Sequence, residues 1–105
     1  MTHPSTRIDD VVHQRVRLGI LALLEPAEDI DFQVLRDSLE LTDGNLSRHL
    51  QVLEDAGYLR IDKTYEGKRP RTRVSITKDG RRALDAEVKA LRELVAGIGN
   101  GIRKR

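Results

Sequence analysis

The sequence predicts a mainly α fold with a small β-hairpin, an α+β arrangement in the order helix, helix, helix, hairpin, helix. Three observations carry this reading. Through most of the first 56 residues, apolar residues recur at spacings of three and four, as in helices that bury one face. Between Leu59 and Thr77 the period changes to two, as in half-buried strands. From Leu84 to Ile98 a helical spacing returns. The chain has 105 residues, which suits one domain, since a domain takes roughly 100–200 residues.

The first helix is expected from about Ile8 or Asp9 to Leu24. Val12, Val16, Ile20 and Leu23 form its stripe, widened by Ile8, Val11 and Leu24. Asp9 and Asp10 suit the positive end of the helix dipole, and Pro26 stops the helix, because the residue before a proline avoids the helical conformation. A short second helix follows near Phe32 to Leu39, with Asp31 as its N-cap. Phe32, Leu35 and Leu39 form its inner face, and Ile30 is placed for a short strand. The third helix, Asp43 to Ala56, is capped by Thr42. Leu46, Leu50 and Leu53 line its inside with His49 beside them, and Gly57 takes the left-handed position that ends it. About two residues separate Leu39 from Thr42, so the second and third helices describe a helix-turn-helix.

Leu59 and Ile61 alternate with Arg60 and Asp62. Thr72, Val74 and Ile76 alternate with Arg71, Arg73, Ser75 and Thr77. Between these strands Tyr65-Glu66-Gly67-Lys68-Arg69-Pro70 reads as a loop of turn formers and bases, and a hairpin of that kind beside a helix-turn-helix is a wing. Charged edge residues also discourage sheet-to-sheet association, which is the plainest role for the arginines. The last helix starts after Thr77 and runs to about Ala96 or Ile98. Leu84, Val88, Leu91, Val95 and Ile98 repeat every 3.5 residues on average, a seam that packs either on its own domain or on a second chain. With Val12 and Val16 of the first helix, these residues form the expected dimer interface. Gly97, Gly99 and Gly101 are expected to fray the helix end. The chain thus divides into core and wing at about 8–78, a dimerisation helix at about 79–98, and a basic tail at 99–105.

Composition excludes several classes. Hydrophobic residues are 38% and charged residues 34%, too apolar for a disordered chain and too polar for a membrane protein. No apolar run approaches the roughly 20 residues of a membrane-spanning helix, and no signal peptide follows Met1. Cysteine is absent, which removes disulfides and thiolate sites, and a cytoplasmic location is the expectation. Phe32, Tyr58 and Tyr65 are the three aromatics, few for a protein that stacks single-stranded bases. Net charge is only +2, but its distribution is uneven. From Glu25 to Asp43 the acids Glu25, Glu28, Asp29, Asp31, Asp37, Glu40 and Asp43 face Arg36 alone. From Arg60 to Lys78 the bases Arg60, Lys63, Lys68, Arg69, Arg71, Arg73 and Lys78 outnumber Asp62 and Glu66. Such segregation predicts a basic face for a polyanion and an acidic face that avoids it.

The outer positions of the third helix carry the chemistry: Asp43, Gly44, Asn45, Ser47, Arg48 and Gln51, with Thr42 at the start. Asn45 and Gln51 match adenine edges, Arg48 a guanine or a phosphate, and Ser47 a phosphate. Gly44, a poor helix former, allows close approach to DNA. Each residue type also fits an ordinary solvated face, and the basic wing that follows favours DNA. Lys63, Lys68, Arg69, Arg71 and Arg73 are then expected to follow the backbone or enter the minor groove.

The segment Ser47-Arg48-His49-Leu50-Gln51-Val52-Leu53-Glu54-Asp55-Ala56-Gly57-Tyr58-Leu59 resembles the recognition-helix signature of ArsR- and MarR-type winged-helix repressors. The wider string Leu41-Thr42-Asp43-Gly44-Asn45-Leu46-Ser47-Arg48-His49-Leu50, with Lys68-Arg69-Pro70-Arg71-Thr72 and Thr77-Lys78-Asp79-Gly80-Arg81, resembles small stand-alone winged-helix regulators related to MarR. The resemblance covers about residues 8 to 96. It implies a homodimer on a pseudo-palindromic operator, one recognition helix per half-site, with Asn45, Ser47, Arg48 and the wing arginines facing DNA. Two residues depart from the pattern. Glu40 stands in the turn where such proteins often have glycine, and Gln51 stands where many have lysine or arginine. His3, His13 and His49 lack metal-ligand spacing, and His49 reads as a buried packing residue. No cofactor is expected, and a small effector between the first and last helices is possible but without support in the sequence. Catalysis finds none either: the carboxylates are scattered, and Ser47 and His49 point in different directions on their helix. Two other functions stay open, a protein-interaction module using the acidic face from Glu25 to Glu40, and a sequence-indifferent DNA-coating protein.

Overall fold

The computed structural model describes residues 4–103, and the side chains of residues 14–99. The elements follow the expected order: α1 (Pro4–Leu24), β1 (Ile30–Asp31), α2 (Phe32–Ser38), α3 (Asp43–Asp55), β2 (Leu59–Glu66), β3 (Arg69–Ile76) and α4 (Lys78–Arg103). Fold class and motif are those read from the sequence, a winged helix-turn-helix that comprises, among the described residues, four helices and a three-stranded antiparallel sheet.

Local chemistry sets the boundaries around the helix-turn-helix. Asp31 caps α2 by accepting the Gln33 N–H at 2.8 Å, and Thr42 caps α3 by accepting the Asn45 N–H at 3.2 Å. Each satisfies a donor that the first helical turn leaves without an intrahelical partner. Gly57 ends α3 with φ +82°, and the Tyr58 N–H reaches back to the Leu53 carbonyl at 2.9 Å, the closure a left-handed glycine permits. In the turn between α2 and α3, Glu40 adopts φ +54°, a conformation that costs a residue with a β-carbon.

The core is one cluster drawn from every long element. Ile20, Leu21 and Leu24 of α1 meet Leu35 of α2 and Leu46, Leu50 and Leu53 of α3. Leu59, Val74 and Leu84 close it from the sheet and α4. Ile20, Leu24, Leu35, Leu46 and Val74 expose none of their surface, so each contributes its full transfer from water, about 1.5–3 kcal/mol for a side chain of this size.

Several boundaries differ from expectation. Helix α1 begins at Pro4 rather than near Ile8. Proline suits a first helical turn, where its missing N–H costs nothing. Asp9 and Asp10 consequently fall in the second turn, away from the free N–H groups they were expected to meet. Helices α2 and α3 stop at Ser38 and Asp55, with Leu39 and Ala56 as their C-caps. The hairpin loop shrinks from six residues to the pair Gly67-Lys68, because β2 continues through Tyr65 to Glu66 and β3 starts at Arg69. Gly67 supplies the positive φ, +65°, that a two-residue hairpin turn requires at its first position. Pro70 fits inside β3 because β1 pairs with β3 only at Asp31↔Arg73 and Ile30↔Val74. Near the tip β3 has a neighbour on one side, where a missing N–H is tolerated. Helix α4 runs through Gly97, Gly99 and Gly101 to Arg103 instead of fraying near Ile98. Each glycine still costs the helix about 1 kcal/mol relative to alanine.

Candidate nucleic-acid interface

Helix α3 sorts its residues cleanly. Leu46, His49, Leu50 and Leu53 are buried, whereas Thr42, Asp43, Gly44, Asn45, Ser47, Arg48 and Gln51 are all exposed. Every position read as outward from the sequence is exposed, and Val52 and Asp55 of the same helix are exposed beside them. Asp43 is not a free carboxylate, because Arg36 of α2 donates to it at 2.8 Å and to Asp37 at 3.0 Å. Asp43, followed by Asp37, holds the Arg36 guanidinium further toward its charged form. The shared guanidinium offsets part of the negative charge at the start of α3. Gln51 donates to Asp55 at 2.9 Å, one turn on. His49 is 6% exposed, and its Nδ1 accepts from Arg17 Nε of α1 at 3.4 Å, a packing role as expected. His3 and the side chain of His13 lie outside the described residues.

The strand register divides the wing in two. Lys63 pairs with Thr72, and Tyr65 with Pro70. They share a face with Leu59, Ile61 and Val74, since side chains alternate along a strand. That face turns toward α3. Ser47 and Gln51 of α3 line one groove with Lys63 and Thr72, about 610 Å³ in volume. Lys68 and Arg69 sit at the tip, exposed. Tyr65 is 76% exposed on the same face as Lys63. Sequence reasoning passed over Tyr65, although an aromatic alternating in phase with Lys63 was a usable signal. A phenol there is a hydrogen-bond donor of the kind that meets a phosphate.

Arg71 and Arg73 lie on the opposite face. Arg73 donates to Asp29 at 2.8 Å through Nε and pairs with it again through Nη2. Arg71 donates to Glu66 at 3.1 Å and to Asp31 at 3.5 Å. The acidic and basic blocks, separate along the chain, therefore meet across the sheet. Strand β1 carries Asp31, and Asp29 just before it, to the back of the wing, while the bases without such partners stay at the front and the tip.

The seam of α4 also divides. Leu84 is buried at 6% and Val88 packs on the same core, so these two serve their own protomer. Val16 of α1 is likewise packed against the core. Leu91, Val95 and Ile98, with Leu94 beside them, remain 43–67% exposed. The Val12 side chain lies outside the described residues, as do the tail's Lys104, Arg105 and the side chain of Arg103. Between α1, the end of α3 and α4 runs a groove of about 720 Å³ lined by Leu18, Leu21, Val52, Leu53, Tyr58 and Leu91. Among the described residues no helix is long and apolar enough to cross a membrane.

An exposed polar helix set in a helix-turn-helix, with a wing folded beside it, defines a DNA-binding module. The chain belongs to the winged helix DNA-binding domain family, whose sequence profile matches residues 16–95. It is similar to an uncharacterized protein of Methanocaldococcus jannaschii, 39% identical over 83 residues, which are 79% of this chain and 90% of that one. Among solved structures, it matches a transcriptional regulator homologue from Pyrococcus horikoshii with 36% identity and a TM-score of 0.75, covering 80% of this chain and 83% of that one. A putative transcriptional regulator from Thermoplasma acidophilum shares the fold at 20% identity, with a TM-score of 0.73 and coverage of 87% and 93%. Two solved structures of MarR family members, one from Lactococcus lactis and one from Silicibacter pomeroyi, share the fold at 12% and 24% identity. Family and fold are those of transcriptional regulators rather than of enzymes.

Proposed function

We propose that this chain is a sequence-specific double-stranded DNA-binding transcriptional repressor that works as a cytoplasmic homodimer, without catalytic activity or a cofactor. Helix α3 enters the major groove, with Asn45, Arg48 and Gln51 toward base edges and Thr42, Gly44 and Ser47 toward the backbone. Lys63, Lys68 and Arg69 follow the adjacent phosphates. The observation that carries this reading is the groove shared by Ser47, Gln51, Lys63 and Thr72. It sets recognition helix and wing side by side, so that one DNA backbone can run between them. Dimerisation is supported by the exposed stripe Leu91, Leu94, Val95 and Ile98 on α4, since a helix face this apolar gains by meeting a partner. Solved structures of related fold include two with bound DNA, those of FabT from Streptococcus pneumoniae and PadR from Bacillus subtilis.

The test is selection of fragmented genomic DNA by the purified protein at low and at physiological salt. The expected result is one inverted-repeat site that survives the higher salt. Fragments captured at low salt alone, with no shared sequence, would identify a DNA-coating protein, because backbone contacts by themselves weaken steeply as counterions compete. Capture at neither salt would favour the protein-interaction module.

A further inference from the structure

The back of the wing carries a second, separate device. We propose that Arg71 is a positioning residue that clamps the wing to the start of α2 through Asp31, and so sets where Lys63, Lys68 and Arg69 stand relative to α3. This builds on the DNA-binding reading and departs from the expectation that Arg71 itself meets DNA.

The argument starts from where backbone pairing stops. The β1–β3 ladder ends at Asp31↔Arg73. Toward the tip, β3 is paired with β2 alone, and an isolated two-stranded hairpin is of marginal stability. Arg71 lies just past that point. Its Nη1 sits 3.5 Å from Asp31 Oδ2, and its Nε donates to Glu66 Oε2 at 3.1 Å. Asp31 is well anchored, since its side chain is 11% exposed and its other oxygen caps α2 on the Gln33 N–H at 2.8 Å. One carboxylate thus serves the helix with one oxygen and the wing with the other. Arg71 spans from it to Glu66, the last residue of β2 before the turn. The planar fork of a guanidinium suits such a span, and the single ammonium of a lysine does not. Both carboxylates lie on the face turned away from the groove beside α3, so they hold the Arg71 guanidinium on that side of the wing.

The test uses Asp31→Asn, because asparagine still caps a helix while losing the charge. The first readout needs no DNA. In the free protein, the heteronuclear NOE of the Gly67 and Lys68 amides should fall in Asp31→Asn and in Arg71→Lys, while the unfolding midpoint of Asp31→Asn stays close to that of the parent. The second readout is affinity for the selected site. It should fall about three- to tenfold in both variants, with the slope of log K against log salt unchanged, since no phosphate contact is lost. For Asp31→Asn the fall would come despite removal of a negative charge. A rise in affinity in Asp31→Asn, or a salt slope lowered by about one in Arg71→Gln, would make Arg71 a phosphate contact and overturn the proposal. Unchanged tip dynamics in the free protein would overturn it as well, whether or not a DNA site is found.

Discussion

A methyl group on Gly80 would lie 2.0 Å from the carbonyl oxygen of Tyr58 and 2.8 Å from Ile76 Cγ1. The start of α4 is pressed against the backbone that leaves α3, and hydrogen bonds hold it there. Thr77 Oγ1 donates to the Gly57 carbonyl at 2.6 Å and accepts the Gly80 N–H at 3.0 Å, while the Thr77 N–H reaches the Tyr58 carbonyl at 3.0 Å. The helix proposed for dimerisation is thereby fixed to the end of the helix proposed for recognition. Gly80→Ala should destabilise the fold by about 2–4 kcal/mol, since the clash is with backbone and cannot be relieved by a rotamer. Denaturant unfolding of the variant checks this, and an unchanged midpoint would mean that the contact yields easily.

Gly44 is the opposite case. A β-carbon there meets nothing within 4 Å, so the protein itself has no need of glycine at this point of α3. Gly44→Ala should raise stability by about 0.5–1 kcal/mol through helix propensity, yet weaken binding to the selected site. Paired thermal unfolding and affinity measurements decide the matter. Higher stability with undiminished affinity would remove Gly44 from the interface.

Glu40 holds its left-handed conformation, φ +54°, without the freedom of glycine. Glu40→Gly should leave the fold as stable as the parent or up to about 1 kcal/mol more so, unlike a typical glycine substitution. A clear loss in the unfolding midpoint would show that the Glu40 side chain contributes more than its backbone costs.

Arg48 and Arg69 are proposed to meet DNA in different ways, one on α3 and one at the wing tip. Arg48→Ala should lower affinity and alter sequence preference. Arg69→Ala should weaken binding alike on all sequences and reduce the salt slope by about one. Fluorescence anisotropy over a salt series with matched and mismatched sites separates the two. Small and equal effects from both would count against the groove assignment.

Leu91 and Val95, at 43% and 67% exposure, can be changed without opening the core. The double variant Leu91→Glu, Val95→Glu should remain folded but sediment as a monomer and lose affinity for an inverted repeat. A parent protein that already sediments as a monomer would exclude α4 as a dimer seam.

Helix order, the caps at Asp31 and Thr42, the stop at Gly57 and the outward face of α3 were all legible in the chain. They depend on residues within one or two turns of each other, where propensity and periodicity act directly. The wing was legible as a hairpin but not in its parts. Composition placed Lys63, Lys68, Arg69, Arg71 and Arg73 in one basic block. The pleat sends Lys63 to one side and Arg71 and Arg73 to the other, and a one-residue change of register would have exchanged them. Tyr65 was overlooked for the same reason, since its value lies in sharing a face with Lys63.

By itself, then, the sequence determined an α+β helix-turn-helix with a hairpin, and the exposure of Thr42 at the start of α3 and of Asp43, Gly44, Asn45, Ser47, Arg48 and Gln51 within it. Tertiary structure alone decided which charges are free. The acids of residues 29–31 lie some forty residues before the arginines they meet, and only the pairing of β1 with β3 brings Asp29 to Arg73 and Asp31 toward Arg71. It likewise divided one heptad pattern into Leu84 and Val88, which serve the protomer's own core, and Leu91, Val95 and Ile98, which do not. Periodicity says which residues share a helix face, but how far along that face the rest of the domain reaches is set by packing between distant segments.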